Sequence, residues 1–239
     1  SNFSHICNVS EDCGNCVRLH ESILEQSTGQ QAWLKRSLGL SEMAWVDSPK
    51  PIHYRSRIRL RSDKHGRLGY FKARSHTHVP IPTCAIAHQC INDILTTLPP
   101  LPFPAKSVEF RSNGQSVVAN ILSHKGRRPD KSQILTWAGN HFAGVGLDGN
   151  VMLGNCKTIL TVCDVEHHLS LNSFYQVNLE INELLVTTLR DWVLEHNPTQ
   201  VLDLYCGAGN IGAAIAIQGT KVVGMDMAPS SIQDAKQTI

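Results

Sequence analysis

The chain has 239 residues, 41% of them apolar, and its 22 Lys/Arg nearly balance its 20 Asp/Glu. That length allows one or two domains with a sizeable core, and the composition excludes a disordered or fibrous chain. No signal peptide is visible and the longest apolar run is only Ala213 to Ile217, so no membrane span is expected; eight cysteines then point to a reducing, cytoplasmic setting in which thiols serve metals or catalysis.

In chain order, residues 1–20 read as a cysteine-bearing loop. Residues 21–40 read as a helix with Ile23, Leu24, Trp33, Leu34 and Leu38 as its buried positions. Residues 54–61 alternate strictly: Tyr54, Ser56, Ile58 and Leu60 share one face, and Arg55, Arg57, Arg59 and Arg61 the other. That pattern predicts a half-buried strand with a basic outer face, paired as a hairpin with 68–71. Residues 85–98 read as a helix ended by four prolines. Short strands follow at 108–111, 117–122, 134–137, 151–153 and 159–162. Residues 179–195 form a strongly amphipathic helix stopped by Asn197-Pro198. A βαβ segment then begins, so the domain boundary is expected between 165 and 175.

The motif with the most chemical content is Val201-Leu-Asp-Leu-Tyr-Cys-Gly-Ala-Gly-Asn-Ile-Gly212. An apolar strand carrying Asp203 runs into a glycine turn and then a helix, the first βα unit of a nucleotide-binding sheet. Gly207 and Gly209 permit a tight turn and close approach to a ligand. A second strand, Lys221-Val-Val-Gly-Met-Asp226, ends in an acid that can accept both ribose hydroxyls. The same residues satisfy G-x-G-x-x-G, which also suits a dinucleotide dehydrogenase. Asp203 favours the amino group of a methionine-derived cofactor over a pyrophosphate, which it would repel. Cys206 reads as a small residue filling the turn, and Cys156 and Cys163 as core.

Cys7, Cys13 and Cys16, spaced C-x5-C-x2-C, can converge on one metal centre, with Cys84 as fourth ligand and Cys90 its competitor; spacing leaves iron–sulfur and zinc both open. The net charge of +2 hides an asymmetry. Residues 50–74 hold nine Lys/Arg and one acid, and four arginines recurring every ~6.7 Å along a strand suit a polyanion such as RNA. The plainer alternative is a solvated edge strand.

Together these pieces resemble the iron–sulfur-containing RNA uracil-C5 methyltransferases. The likeness rests on the C-x5-C-x2-C opening, Tyr54-Arg-Ser-Arg57, Gly69-Tyr-Phe-Lys-Ala73, the separate Cys84, Ser173-Phe-Tyr-Gln-Val-Asn178 and the Asp203–Gly209 turn. It implies an α/β protein: a mixed α+β iron–sulfur and RNA-contacting region over 1–168, then the start of a Rossmann-like class I methyltransferase domain over 169–239. It further implies a 4Fe–4S cluster on Cys7, Cys13, Cys16 and Cys84, and S-adenosylmethionine contacts at Gln176, Tyr205, Asn210 and Asp226 beside Asp203, Gly207 and Gly209. It implies a ribosomal RNA substrate before a transfer RNA, bound partly by Arg55, Arg57, Arg59 and Arg61. The family often follows the fourth cysteine with proline, where this chain has Ala85. Its catalytic cysteine, which adds to C6 of the uracil, is expected beyond Ile239. The 239 residues alone are therefore expected to bind the cofactor weakly or not at all and to methylate no RNA. A noncatalytic iron–sulfur RNA-binding fragment and an iron–sulfur nicotinamide oxidoreductase are the competing expectations.

Overall fold

A computed structural model describes residues 6–238 of the chain. The first helix, α1 (Ile23–Leu38), starts at a capping box: Ser22 Oγ accepts from the Glu25 N–H, and the Glu25 carboxylate accepts from the Ser22 N–H. It stops at Gly39, whose φ of +67° no β-carbon-bearing residue adopts cheaply. Its expected burial is overturned. Leu24, Trp33 and Leu38 stand more than half exposed, Ile23 is exposed by over a third, and Ser27 is the residue the helix buries. Leu24 and Trp33 fall off the stripe through Ile23, Ser27 and Leu34, and the centre of that stripe is polar. The Ser27 hydroxyl donates to Asp47 at 2.6 Å, which holds the helix where packing does not.

The strands β1 (Arg57–Ser62), β2 (Leu68–Phe71), β3 (His78–Pro80), β4 (Ser107–Ser112), β5 (Val117–Leu122), β6 (Gly144–Leu147) and β7 (Asn150–Gly154) form one sheet in the order β3-β2-β1-β4-β5-β6-β7. Neighbours are antiparallel except β5 and β6, which are parallel and joined by a crossover through α3 (Lys131–Ala138). Residues 134–137 are thus helical, not the strand that was expected. Asp130 and Gln133 build a capping box, and Ile134, Trp137 and Ala138 fall at i, i+3 and i+4, all buried. The expected helix over 85–98 shortens to α2 (Gln89–Leu95).

One sheet face makes the main core. Ile58 and Leu60 of β1, Val108 and Phe110 of β4, Ala119 and Ile121 of β5 and Val145 and Leu147 of β6 lie under Ile91, Ile94, Ile134 and Trp137 of the helices. Each such large side chain contributes roughly 1.5–3 kcal/mol by leaving water. The opposite face carries the arginines.

The remaining elements are β8 (Thr158–Val162), β9 (Val165–Leu169), α4 (Leu179–Glu195), β10 (Gln200–Leu204), α5 (Gly212–Ala216), β11 (Lys221–Met225) and α6 (Pro229–Thr238). The helix expected over 179–195 is α4. The hairpin β8–β9 shares a second core with Tyr175, Val186, Ala208, Ala213 and Ala214, so it packs with the C-terminal unit although all but its last residue precede 169. Strands β10 and β11 are parallel, and Asp203 is level with Gly224. They form a sheet of two strands, with Leu202, Leu204 and Met225 more than half exposed. This is the mixed α/β fold with a Rossmann-like start that the motifs predict. Among the described residues no helix is long and apolar enough to cross a membrane.

Candidate functional site

Three groups of side chains predicted to carry chemistry occupy three places in this fold. The first is a small, largely apolar cavity lined by Cys7, Cys13, Cys16 and Cys84, walled by Val9, Tyr70 and Ile81. Burial pushes the Cys16 thiol up to about 11, and the neighbouring Cys84, Cys13 and Cys7 add to the shift. Cys84 is raised by burial as well, then by Cys13 and Cys7. Gly14 is required here, since a β-carbon would fall 2.6 Å from the Ala73 nitrogen. The rival ligand, Cys90, points elsewhere and bonds Ser112 Oγ at 2.8 Å. Among the described residues, no three His, Cys, Asp or Glu side chains stand close enough to hold one metal ion.

The second is the arginine face of β1, where Arg59 stays exposed although its head group is paired. Arg59 lies across from Glu109 of β4, and its Nη2 donates to that carboxylate at 2.6 Å. Arg111 donates to the other Glu109 oxygen at 2.7 Å. Burial opposes the Glu109 charge, but Arg111 and the hydrogen bonds from Arg59 and Arg111 outweigh it and hold the carboxyl below the usual range. Arg57 is half-buried with its guanidinium 5.3 Å from the centre of the Phe174 ring. Arg55 belongs to a short bridge with Ala87 and Asn178, and its Nε is buried with no hydrogen-bond partner among the described residues. Arg61 is half-buried.

The third is the glycine turn, at the carboxyl ends of β10 and β11, where ligands of parallel α/β sheets bind. Tyr205 sits at φ +61° with its side chain 85% exposed, and Gly207 and Gly209 follow at +56° and +82°. A β-carbon built on Gly207 would meet nothing within 4 Å, so the space above the turn is free of protein. Asp203 accepts from the Gly212 N–H at 3.1 Å, and burial raises its carboxyl, opposed only by that bond. Asp226 is the opposite case. The Ala228 N–H at 2.8 Å and the Gly207 N–H at 2.9 Å hold its carboxyl below the usual range. Cys206 fills the turn as expected: its Sγ would be 2.9 Å from a β-carbon on Gly224, and burial, then Asp203 and Asp226, raise its thiol. Gln176 is exposed.

Asn210 is tied down in a way the motif did not reveal. Its Oδ1 accepts from Tyr175 Oη at 2.7 Å and from Asn182 Nδ2 at 2.9 Å, and its Nδ2 donates to Asn182 Oδ1 at 2.7 Å. Asn182 is fully buried on α4, four residues before the buried Val186. A polar residue on the apolar stripe of an amphipathic helix was the available signal. Beside this trio lies His167, fully buried, both ring nitrogens without a hydrogen-bond partner among the described residues, its ring 5.4 Å from that of Tyr175; burial lowers its pKa.

A second unforeseen network joins the two units. Arg111 Nη1 donates to the Ser170 and Ser173 carbonyls at 2.9 and 2.8 Å. Asp234 of α6, buried, accepts from the Ser170 N–H at 2.7 Å, from Ser170 Oγ at 2.8 Å and from Ser173 Oγ.

Known proteins resemble the chain over most of its length. A family described as "Methyltransferase domain" matches residues 195–239. An uncharacterized RNA methyltransferase of Streptococcus pyogenes serotype M3 is 25% identical, over 97% of this chain and 60% of its own. A 23S rRNA (uracil(1939)-C(5))-methyltransferase of Shewanella piezotolerans is also 25% identical, over 97% and 58%. The crystal structure of Pyrococcus abyssi tRNA (uracil-54, C5)-methyltransferase in complex with S-adenosyl-L-homocysteine superposes with a TM-score of 0.79 at 24% identity, over 95% of this chain and 61% of that one. The fold is therefore theirs. The chain spans about three fifths of the length of these relatives.

Proposed function

We propose that this chain is the iron–sulfur, RNA-contacting and cofactor-binding part of an S-adenosylmethionine-dependent RNA uracil-C5 methyltransferase, acting on ribosomal RNA before transfer RNA. The observation that carries the reading is the pair of strand-end acids around an open glycine turn, within a chain alike along 97% of its length to a 23S rRNA uracil-C5 enzyme. S-adenosylmethionine supplies an electrophilic methyl on a cationic sulfonium. The residues of the turn suit it. Asp203, raised by burial and bonded by one N–H, takes a cationic amino group, which restores its charge. Asp226, pinned by two N–H groups, keeps lone pairs for the ribose hydroxyls. Tyr205 offers an exposed ring, and the Tyr175–Asn182–Asn210 trio fixes the wall beside the turn. A pyrophosphate, the mark of the oxidoreductase alternative, would meet the Asp203 charge.

Cys7, Cys13, Cys16 and Cys84, which line one cavity, are the residues that would hold a 4Fe–4S cluster; the family resemblance, not the cavity, chooses iron over zinc. The cluster's role is structural, because methyl transfer moves no electrons.

For the whole enzyme, C5 of a uracil becomes nucleophilic once a cysteine adds to C6. No cysteine near the turn suits that role. Cys206 is buried with a raised thiol, and Cys163 is buried too, its sulfur within 3.2 Å of Thr187 Oγ1. The chain alone is therefore expected to leave RNA unmethylated. The reading is tested by nucleoside mass spectrometry of RNA from cells with and without the gene. Loss of one 5-methyluridine from ribosomal RNA is expected; an unchanged set of 5-methyluridines in ribosomal and transfer RNA would overturn it.

A further inference from the structure

Arg59 is paired with Glu109 and Arg57 lies over Phe174, and the structure places a different set of cations in the open. The β1–β2 turn and the turn after β5 face each other across a cavity of about 710 Å³. Lys64 and His65 stand on one rim, and His124, Lys125 and Arg127 on the other. All five are exposed, and among the described residues no acid lies within ion-pair distance of any of them. The one carboxylate in the wall, Asp63, is already satisfied. Its Oδ1 accepts from the His65 and Arg67 N–H groups, both at 2.9 Å, and its Oδ2 from Arg67 Nε at 2.8 Å. Partial desolvation opposes its charge, but those bonds outweigh it and hold the carboxyl at about 2, so Arg67, outside the cavity, cancels its charge.

The cavity is built rather than incidental. Its floor is the segment Leu101 to Ala105, in which Pro102 and Pro104 restrict the backbone and Leu101, Phe103 and Ala105 are buried in the main core. The β1–β2 turn is fixed to that floor at Gly66, whose carbonyl accepts from the Leu101 N–H at 2.9 Å. Gly66 has φ +76°, and a β-carbon there would fall 2.1 Å from the Leu101 carbonyl oxygen, so only glycine lets the two segments touch. The opposite rim is a tight turn closed by the Arg127 N–H on the His124 carbonyl at 3.0 Å.

We propose that this cleft binds the phosphodiester backbone of RNA, on a stretch flanking the nucleotide that enters the cofactor site. The identity of the polyanion rests on the function proposed above. Its place in the fold supports a flanking role. The cleft adjoins Ser62, at the end of β1, whereas the C-terminal unit joins the sheet at the other end, where the Ser56 N–H donates to the Val177 carbonyl. The ends of β1 are about 16 Å apart at ~3.3 Å per residue, too far for one nucleotide to occupy both places. Three fixed cations on two rims contact phosphates without reading bases, so the cleft contributes register and salt-dependent affinity rather than sequence choice.

The test uses the full chain, a stem–loop RNA and fluorescence anisotropy across a potassium chloride series. The triple variant Lys64→Gln/Lys125→Gln/Arg127→Gln should lose about tenfold or more in affinity at low salt, and its slope of log K against log salt should fall by roughly 2–3, the counterions released by three contacts. Lys64→Arg/Lys125→Arg should retain both. All three side chains lie on exposed turns, so equal melting temperatures verify the fold. An unchanged slope in the triple variant, with the parent chain binding RNA, would overturn the cleft alone. No RNA binding by the parent chain would overturn the cleft and the RNA reading together. If polyglutamate binding is lost in the triple variant while RNA binding is kept, the surface takes acidic protein and the proposal fails.

Discussion

Asp203 and Asp226 are the same residue type at the ends of adjacent strands, yet their surroundings push them in opposite directions. Burial raises the Asp203 carboxyl, whereas N–H donors lower that of Asp226. An acid with a raised folded pKa holds more protons folded than unfolded, so it costs stability as pH rises through the carboxylate range. Asp203→Asn should therefore leave the melting temperature at neutral pH unchanged or slightly higher, and flatten its fall between acidic and neutral pH. The same variant should weaken S-adenosylmethionine binding by about tenfold or more, the loss of a charge-assisted hydrogen bond. A lower melting temperature with unchanged affinity would show Asp203 to be structural. Glu109 has the reverse sign. Its folded pKa is depressed, so its contribution is full above the ordinary glutamate range and is lost as pH falls through the depressed value. Glu109→Gln leaves Arg111 without its charge partner and should cost on the order of 3 kcal/mol in denaturant melts at neutral pH, less near the acid limit. At this scale the sequence identified the acids and glycines of the turn from their spacing. It could not show that Asn210 spends its carbonyl on Tyr175 and Asn182, because those partners come from distant segments.

At the scale of elements, regular patterns were legible and short or ambiguous ones were not. The alternation from Tyr54 to Arg61 correctly assigned Ile58 and Leu60 to the core, and α4 spans the expected residues. The apolar group Ile134, Leu135 and Trp137 fits strand or helix equally, and the capping pair Asp130 and Gln133 decides for helix. The arginine face was legible as a face, but its occupant was not, since Glu109 lies 50 residues from Arg59 in sequence. Helix α1 shows how little propensity says about burial. Its caps are complete, its apolar side chains lie in water, and Ser27–Asp47 is its main tether. Ser22→Ala should cost the helix about 1 kcal/mol. Amides of α1 should exchange with solvent well before those of β4 and β5, as read by native-state hydrogen exchange. Equal protection would mean that α1 is covered in solution.

Across the whole molecule, two cores meet through Arg111, the Ser170–Ser173 turn and Asp234. That turn leads directly into Phe174, Tyr175 and Gln176, so the sheet that carries the arginines and the strands that carry the cofactor turn are held in one register. Asp234→Ala would remove the acceptor of the Ser170 N–H, Ser170 Oγ, Ser173 Oγ and Lys157 Nζ and should loosen α6 by about 2–4 kcal/mol, seen as earlier exchange of α6 than of β8 and β9. In the cysteine-lined cavity, Cys84→Ala should abolish iron in anaerobically purified protein. Zinc in place of iron in the parent chain would contradict the cluster. Backbone NMR detects even weak binding of S-adenosylmethionine at the glycine turn of β10 and β11. Titration with S-adenosylhomocysteine should move the amide signals of Gly207, Gly209, Asn210 and Asp226 saturably, while NAD moves none of them. Signals that stay fixed with S-adenosylhomocysteine, or that move with NAD instead, would show that the turn does not hold this cofactor.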